Sequence, residues 1–341
     1  MVTRILSGMR PTGRLHIGHM VGALDNWVQL QHQYDSYFFV ADWHALTTKR
    51  DTREMRQDAI EMVRDWIAAG IDPQKSTLFV QSMVPQHAEL HVLFSMLNTL
   101  TRLERVPTFK GQMNSLLGLT ENEEPSPEQI ASARSQISYG FLGYPVLQAA
   151  DILIYKADGV PVGEDQIPHI ELTREIARTF NKTYGNVFPE PEALLTPTPK
   201  ILGTDGRKMS KSYKNTILPT DSPEEVRKKV GMMVTDPARK RLSDPGDPNK
   251  CSVYEVHFAY NDQGIGRVQT ACVNALRGCG ECKLEAANCI LARYQGHAER
   301  RAQVSESMAL EILIEGSKRA RAVAQRTIDE VKDYMLMTYT K

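Results

Sequence analysis

Apolar residues in the first half of the chain alternate between two rhythms. Arg4 to Ser7 reads as a short strand, Gly8 to Gly13 as a Pro/Gly turn, and Leu15 to Gln33 carries apolar residues at helical spacing. The apolar run Tyr37 to Ala41 precedes a helical stretch from Arg53 to Ala69, and Thr77 to Val80 precedes another from His87 to Leu103. Tyr139 to Tyr155 predicts a mostly apolar helix, Val160 to Val162 a short strand, and Gln166 to Thr179 a further helix. Strands alternating with helices predict a parallel α/β sheet. Between Pro107 and Ser138 the pattern weakens around Gly111, Gly118 and the acidic stretch Glu121 to Pro127, which reads as a mobile insertion. Pro189 to Pro199 punctuates the chain. After Ser222 the strand signals fade, while Pro223 to Val230 and Ala298 to Met337 look helical and amphipathic. We therefore expect an α/β unit over 1–215 and a smaller helical unit over 216–341, with the last helix packing back on the first unit.

Composition narrows this picture modestly. At 341 residues and 41% hydrophobic the chain can bury a large core. No apolar run approaches the ~20 residues of a membrane span, and Met1 to Ser7 lacks the apolar core of a secretory signal, so a cytoplasmic protein is expected. Forty-one basic residues balance forty-one acidic ones, so any nucleic-acid surface must be a local patch. The basic run Arg239 to Arg241 fits such a patch, but a run of that size is more often a solvated face.

Two segments carry candidate chemistry. The first turn reads Met9, Arg10, Pro11, Thr12, Gly13, Arg14, Leu15, then His16, Ile17, Gly18, His19, and it opens a helix directly after a strand. Ligands bind at the carboxyl ends of strands in open α/β sheets, where a helix N-terminus offers free N–H groups to phosphate. Gly18, lacking a β-carbon, lets a flat base lie against the backbone. Two such histidines alone could simply cap the helix. The second segment, Gly203 to Lys214, is a glycine-flanked loop holding Lys208, Met209, Ser210, Lys211 and Ser212. Its ammonium groups suit charge growing on departing pyrophosphate oxygens, the differential stabilisation that raises rate.

Together these segments resemble the paired signatures of the class I aminoacyl-tRNA synthetases: His16-Ile17-Gly18-His19 matches the first and Lys208-Met209-Ser210-Lys211-Ser212 the second. Within that class Ser7 to Gly13, Ala41-Asp42-Trp43-His44-Ala45, Ala149 to Tyr155, and Val160 to Gln166 followed by His169 to Arg174 look like the tryptophan type, although many relatives have Gln where Arg10 stands. The resemblance implies a Rossmann-type catalytic domain, an anticodon-binding helical domain, ATP with Mg²⁺, L-tryptophan and tRNA(Trp) as partners, and a homodimer. It implies catalysis by His16, His19, Lys208, Ser210 and Lys211. ATP contacts are implied for Arg10, Pro11, Thr12, Gly18, His19, Gly163, Glu164, Asp165, Ile201 and Lys208 to Ser212. Asp151 is implied to accept the indole N–H, within a tryptophan pocket of Gln148, Tyr144, His44, Val160, Val162 and Gln166. Gln148 stands where many relatives have Met, and a Gln three residues before an Asp also resembles the tyrosine enzymes, the alternative specificity. A non-catalytic tRNA-binding paralogue or a redox protein on this fold are rival readings, and the intact signatures count against both.

All five cysteines lie between Cys251 and Cys289, which points to a shared ligand. Cys251, Cys272, Cys279 and Cys282 stand as Cys-x20-Cys-x6-Cys-x2-Cys. Spacing alone is equally open to Zn²⁺ and to an iron–sulphur cluster, with a reduced structural set of thiols as the remaining reading. A subgroup of the tryptophan enzymes resembles this arrangement with a slightly longer first gap, which implies a [4Fe–4S] cluster.

Overall fold

The computed structural model describes residues 3–119, 125–195 and 201–339. Among the described residues, strands β1 (Arg4–Met9), β2 (Asp35–Val40), β3 (Ser76–Val80), β4 (Gly159–Val162) and β5 (Glu192–Leu195) form one sheet in the order β3-β2-β1-β4-β5. Every pairing is parallel, so the expected parallel α/β sheet is present. The chain leaves β1 toward β2 on one side and returns to β4 on the other, which opens a crevice at the carboxyl end of β1.

Burial on both faces explains the near-continuous apolar strands. Along β2, Phe38 and Val40 join one core with Ile5, Trp27, Trp66 and Leu78, while Tyr37 and Phe39 join the opposite core with Leu6, Phe79, Phe94 and Phe180. Trp27 stacks on Phe38 at 4.5 Å between centroids and meets Trp66 edge-on at 5.2 Å. Fully burying side chains of this kind contributes about 2–3 kcal/mol each. The first core continues through Ile201, Met209 and Ile217 into Val253, Ala286 and Leu313 of the C-terminal helices, so helical and α/β parts share apolar contacts.

Several elements differ from the sequence expectation. The run predicted as one helix from Leu15 to Gln33 is three joined pieces, Ile17–His19, a π segment Met20–Leu24, and Asp25–Leu30. The helix expected over His87 to Leu103 is broken into Gln86–Ser95 and Leu100–Glu104, and the one over Tyr139 to Tyr155 is interrupted at Gly143. The segment read as a mobile insertion contains helices Pro107–Leu117 and Pro127–Gln136, the second closed by a Ser126/Gln129 capping box; residues 120–124 of that stretch lie outside the described residues. Strand β5 lies inside the Pro189 to Pro199 punctuation, whose last part, 196–199, also lies outside them. No helix of the described residues is long and apolar enough to cross a membrane.

Candidate active site

At the end of β1 the backbone turns through Gly13, whose φ of +72° is a left-handed conformation that glycine adopts without strain. The turn is held from two sides: Leu15 N–H donates to Asp65 Oδ2 (2.7 Å) and Ile17 N–H to the Ile217 carbonyl (2.9 Å). Asp65 Oδ1 in turn accepts from Arg301 Nε (2.5 Å), a residue of the C-terminal helices. The rings of His16 and His19 stack at 3.7 Å. Burial, then the nearby Lys211 and Lys208 charges, lower the His16 pKa to about 4. Burial, His16 and the same lysines lower that of His19 to about 3. Both imidazoles are therefore neutral at pH 7. His19 Nδ1 accepts a long bond from the His16 N–H (3.5 Å), which leaves its ring proton on Nε2.

The second signature loop folds over this turn. Ile201 and Met209 are buried in the core as anchors, and Leu202 pairs with Lys208 in an antiparallel bridge. The buried Asn215 organises the loop: its Oδ1 accepts the Ser210 N–H (2.8 Å) and its Nδ2 donates to Asp205 Oδ1 (2.7 Å) and to the Lys208 carbonyl (3.1 Å). From the loop, Lys211 Nζ donates to the Thr12 carbonyl of the first turn. A β-carbon on Gly13 would stand 2.6 Å from both Lys211 Nζ and Asp58 Oδ1. A β-carbon on Gly18 would press on the His16 ring (3.0 Å) and stand 3.8 Å from the Ile201 carbonyl. The two signatures, far apart in the chain, thus meet. The side chain of Ser212 lies outside the described residues.

Beside them opens a cavity of about 370 Å³. Of the residues expected to line it, Arg10, Thr12, His19, His44, Tyr144, Gln148, Asp151, Val160, Val162, Gly163 and Gln166 do so, together with Gly8, Asn26 and Phe39. Pro11, His16, Gly18, Glu164, Asp165, Ile201 and Lys208 to Lys211 stand outside its wall. Glu164 and Asp165 are exposed on the turn that starts the helix Ile167–Tyr184, where Asp165 Oδ2 accepts from Gln166 Nε2 (2.9 Å).

Asp151 sits at the inner end of the helix Tyr144–Ile154, fully buried. Its Oδ2 accepts from His44 Nε2 (2.7 Å), its Oδ1 from His87 Nδ1 (2.6 Å), and both from Gln81 Nε2 (2.8 and 3.0 Å). Burial pushes this carboxyl up, but His44 and His87 overcome it and hold the group at about 2, ionised. The His44 ring packs edge-on against Tyr144 at 4.4 Å. The Gln148 amide is tied to His169 Nδ1 (2.7 Å), whose Nε2 faces the Thr108 hydroxyl (2.9 Å). His169, its pKa lowered by burial to about 4, is neutral. Gln81, His87, Asp65 and Asn215 were missed by the sequence reading. Only Gln81 left a signal there, as a polar residue at the carboxyl end of an apolar strand.

In the C-terminal helices, Cys251, Cys272 and Cys279 all bear on the Cys282 thiol, which burial and their proximity push up to about 12. Arg239 reaches Cys279 Sγ (3.8 Å) and the Leu242 and Arg277 carbonyls, so the first residue of the basic run faces inward. A β-carbon on Gly246 would stand 2.6 Å from Cys272 Sγ. His257 Nε2 lies 3.3 Å from Cys282 Sγ. The charged groups bearing on Cys289 are instead Glu285 and Arg267. Among the described residues no group of three or more His, Cys, Asp or Glu side chains is placed to hold a metal ion.

The model of the family tRNA synthetases class I (W and Y) matches residues 2–295. The tryptophan–tRNA ligase of Thermotoga maritima is 48% identical over 342 positions, covering 98% of this chain and 100% of its own. That of Aquifex aeolicus is 44% identical over 391 positions, covering 97% and 99%. The crystal structure of tryptophanyl-tRNA synthetase from Campylobacter jejuni complexed with ADP and tryptophan matches with a TM-score of 0.78 at 32% identity, covering 98% of this chain and 99% of that one. With both signatures in contact beside one cavity, and with relatives of this identity along the full length, the chain belongs to the class I tRNA synthetases and, among them, to the tryptophan–tRNA ligases.

Proposed function

We propose that this chain activates L-tryptophan with ATP and transfers it to tRNA(Trp), with Asp151 accepting the indole N–H. The observation that carries the reading is the meeting of Lys208 and Lys211 with His16 and His19 beside a cavity that also contains Asp151. The tryptophan carboxylate attacks the α-phosphate of MgATP, the bond to the β-phosphate breaks, and pyrophosphate leaves with the electron pair. The terminal ribose hydroxyl of tRNA then attacks the acyl carbon and AMP departs. The nucleophile is already an anion, so activation needs positioning and charge stabilisation rather than a general base. Lys208 and Lys211 supply positive charge; neutral His16 and His19 supply N–H donors without adding charge. Arg10 and Thr12 line the ATP side of the cavity, and the missing β-carbon of Gly18 leaves room for the His16 ring. A carboxylate already ionised and buried rejects a side chain without a matching donor, because it would be left short of a partner, by about 10⁴-fold in favourable cases. Tryptophan should therefore support ATP–pyrophosphate exchange, with an analogue that lacks the ring N–H poorer by up to about 10⁴ in kcat/KM. Comparable exchange with tyrosine would sink this specificity.

In this reading residues 1–215 form the catalytic domain and 216–341 the anticodon-binding domain of a cytoplasmic homodimer. The exposed apolar residues Val92, Met96 and Leu100 support a self-association surface.

Cys251, Cys272, Cys279 and Cys282 fit a [4Fe–4S] cluster. They converge, Gly246 leaves room beside Cys272, and Arg239 and His257 offer positive charge and a donor to a net-negative group. Four thiolates could also hold one Zn²⁺, and metal content separates the two readings. Bound there, the cluster would cross-link the helices around it and supply an oxidation-sensitive, redox-active centre. Anaerobically purified protein should be brown; Cys279→Ser should lose that absorption and Cys289→Ser should keep it. Colourless wild-type protein with stoichiometric zinc overturns the assignment.

A further inference from the structure

Three donors converge on Asp151 before any substrate arrives, and their protons are determined by what surrounds them. An ionised carboxylate only accepts, so each facing atom carries a hydrogen. Gln81 is oriented by its Oε1, which accepts the Trp43 N–H (3.2 Å) and so turns the amide group toward Asp151. His87 gives its Nδ1–H to Asp151 Oδ1 (2.6 Å), and its Nε2 faces the Tyr155 hydroxyl at 2.8 Å. His87 and Tyr155 are both 0% exposed, and His87 is the hydroxyl's partner. Tyr155 O–H therefore donates to His87 Nε2, which keeps the His87 proton on Nδ1, facing Asp151. His44 and Asp151 line the cavity, whereas His87 and Tyr155 stand behind it. An apolar residue at 87 would fill the space but leave Asp151 short of a donor. Burial would then favour the protonated acid, whose O–H donates where the indole needs an acceptor.

We propose that His87, held in one tautomer by Tyr155, is a positioning residue for amino-acid selection: it keeps Asp151 an ionised acceptor for the indole N–H. This rests on the reading that Asp151 takes that N–H. The test measures ATP–pyrophosphate exchange with tryptophan and with 3-(benzothiophen-3-yl)alanine, in which sulphur replaces the N–H, for wild type, His87→Leu, His87→Asn, Tyr155→Phe and Asp151→Asn. His87→Leu should raise the tryptophan KM about tenfold or more and shrink the kcat/KM preference for tryptophan over the sulphur analogue by about tenfold. Its KM for ATP should stay within about twofold, because no ATP contact changes. His87→Asn places an N–H where Nδ1–H stood and should keep the preference within about threefold of wild type, while Tyr155→Phe should narrow it by about threefold or more. A wild-type preference in His87→Leu, or in Tyr155→Phe should the leucine variant not fold, overturns the proposal. So does a His87→Asn protein as impaired as His87→Leu. If Asp151→Asn also keeps the preference, the reading of Asp151 itself fails; if Asp151→Asn loses it and His87→Leu does not, only the role of His87 fails.

Discussion

Lys211→Ala should reduce tryptophan-dependent ATP–pyrophosphate exchange by about 10²–10³ while leaving the equilibrium binding of tryptophan almost unchanged. Lys211 Nζ spans from the signature loop to the Thr12 carbonyl, beside Asp58. Burial lowers its pKa, opposed by the charges of Asp58 and Asp65. A carbonyl is a modest partner for an ammonium group, so the lysine is held near the phosphate side of the site without being committed there. In the proposed reaction, as the α–β phosphate bond breaks, negative charge builds on the departing pyrophosphate and the same ammonium would gain a far stronger partner. An interaction that strengthens in the transition state lowers kcat and kcat/KM together when removed. In the proposed reading tryptophan binds against Asp151 and its flanks, away from this loop, so its dissociation constant, followed by intrinsic fluorescence, should move by about twofold at most. Exchange within about threefold of wild type, or a parallel loss of tryptophan binding, would remove Lys211 from the chemical step. Lys208→Ala should fall in the same direction, and the double variant should lose less than the product of the two, since both cations act on one leaving group.

Both signatures are legible in the sequence because each is contiguous and sits at a strand–turn–helix or a glycine-flanked loop, patterns set by short-range physics. What was illegible is long-range. Asn215, which ties the second loop through Ser210, Asp205 and Lys208, is one polar residue among many until the loop closes on it. His87 and Gln81 are drawn to Asp151 only by the packing of β3 and the helix after it against the helix Tyr144–Ile154. The π segment Met20–Leu24 is five residues long, too short for a 4.4-residue period to be told from a 3.6-residue one. Strand β5 is a four-residue edge strand among prolines, whose punctuation masked it. The helix Pro127–Gln136 did announce itself, by Ser126 three residues before Gln129, but its acidic and glycine-bearing surroundings outweighed that cue. The partition of side chains between two cores along β1, β2 and β3 follows from strand alternation alone, once both faces are known to be covered.

Gly316→Ala should destabilise the protein by about 3 kcal/mol and Gly316→Val should prevent stable folding, although alanine is the better helix former by about 1 kcal/mol. Gly316 lies in the middle of the helix Glu306–Tyr334, which covers β3, the edge strand of the sheet. A β-carbon there would overlap the Leu78 carbonyl oxygen and stand 2.7 Å from its carbon, backbone atoms of a strand pinned by its ladder to β2. Relief therefore requires the helix to back away. That movement would break what its neighbours do for the strand: Ser317 Oγ accepts the Val80 N–H (3.1 Å), and Arg319 donates to the Pro73 carbonyl (3.1 Å). An uncovered edge would be left with unpaired backbone groups. It would also loosen Ala320, Ala324 and Ile328 from the core they share with Phe79. Gly231 and Gly266 lie in other helices with nothing within 4 Å of a β-carbon, so alanine at either should be neutral or stabilising by about 1 kcal/mol. Urea unfolding midpoints of the three alanine variants give the comparison. A Gly316→Ala protein as stable as the other two would mean that this helix does not seat on β3 as closely as described, and the edge of the sheet would need another cover.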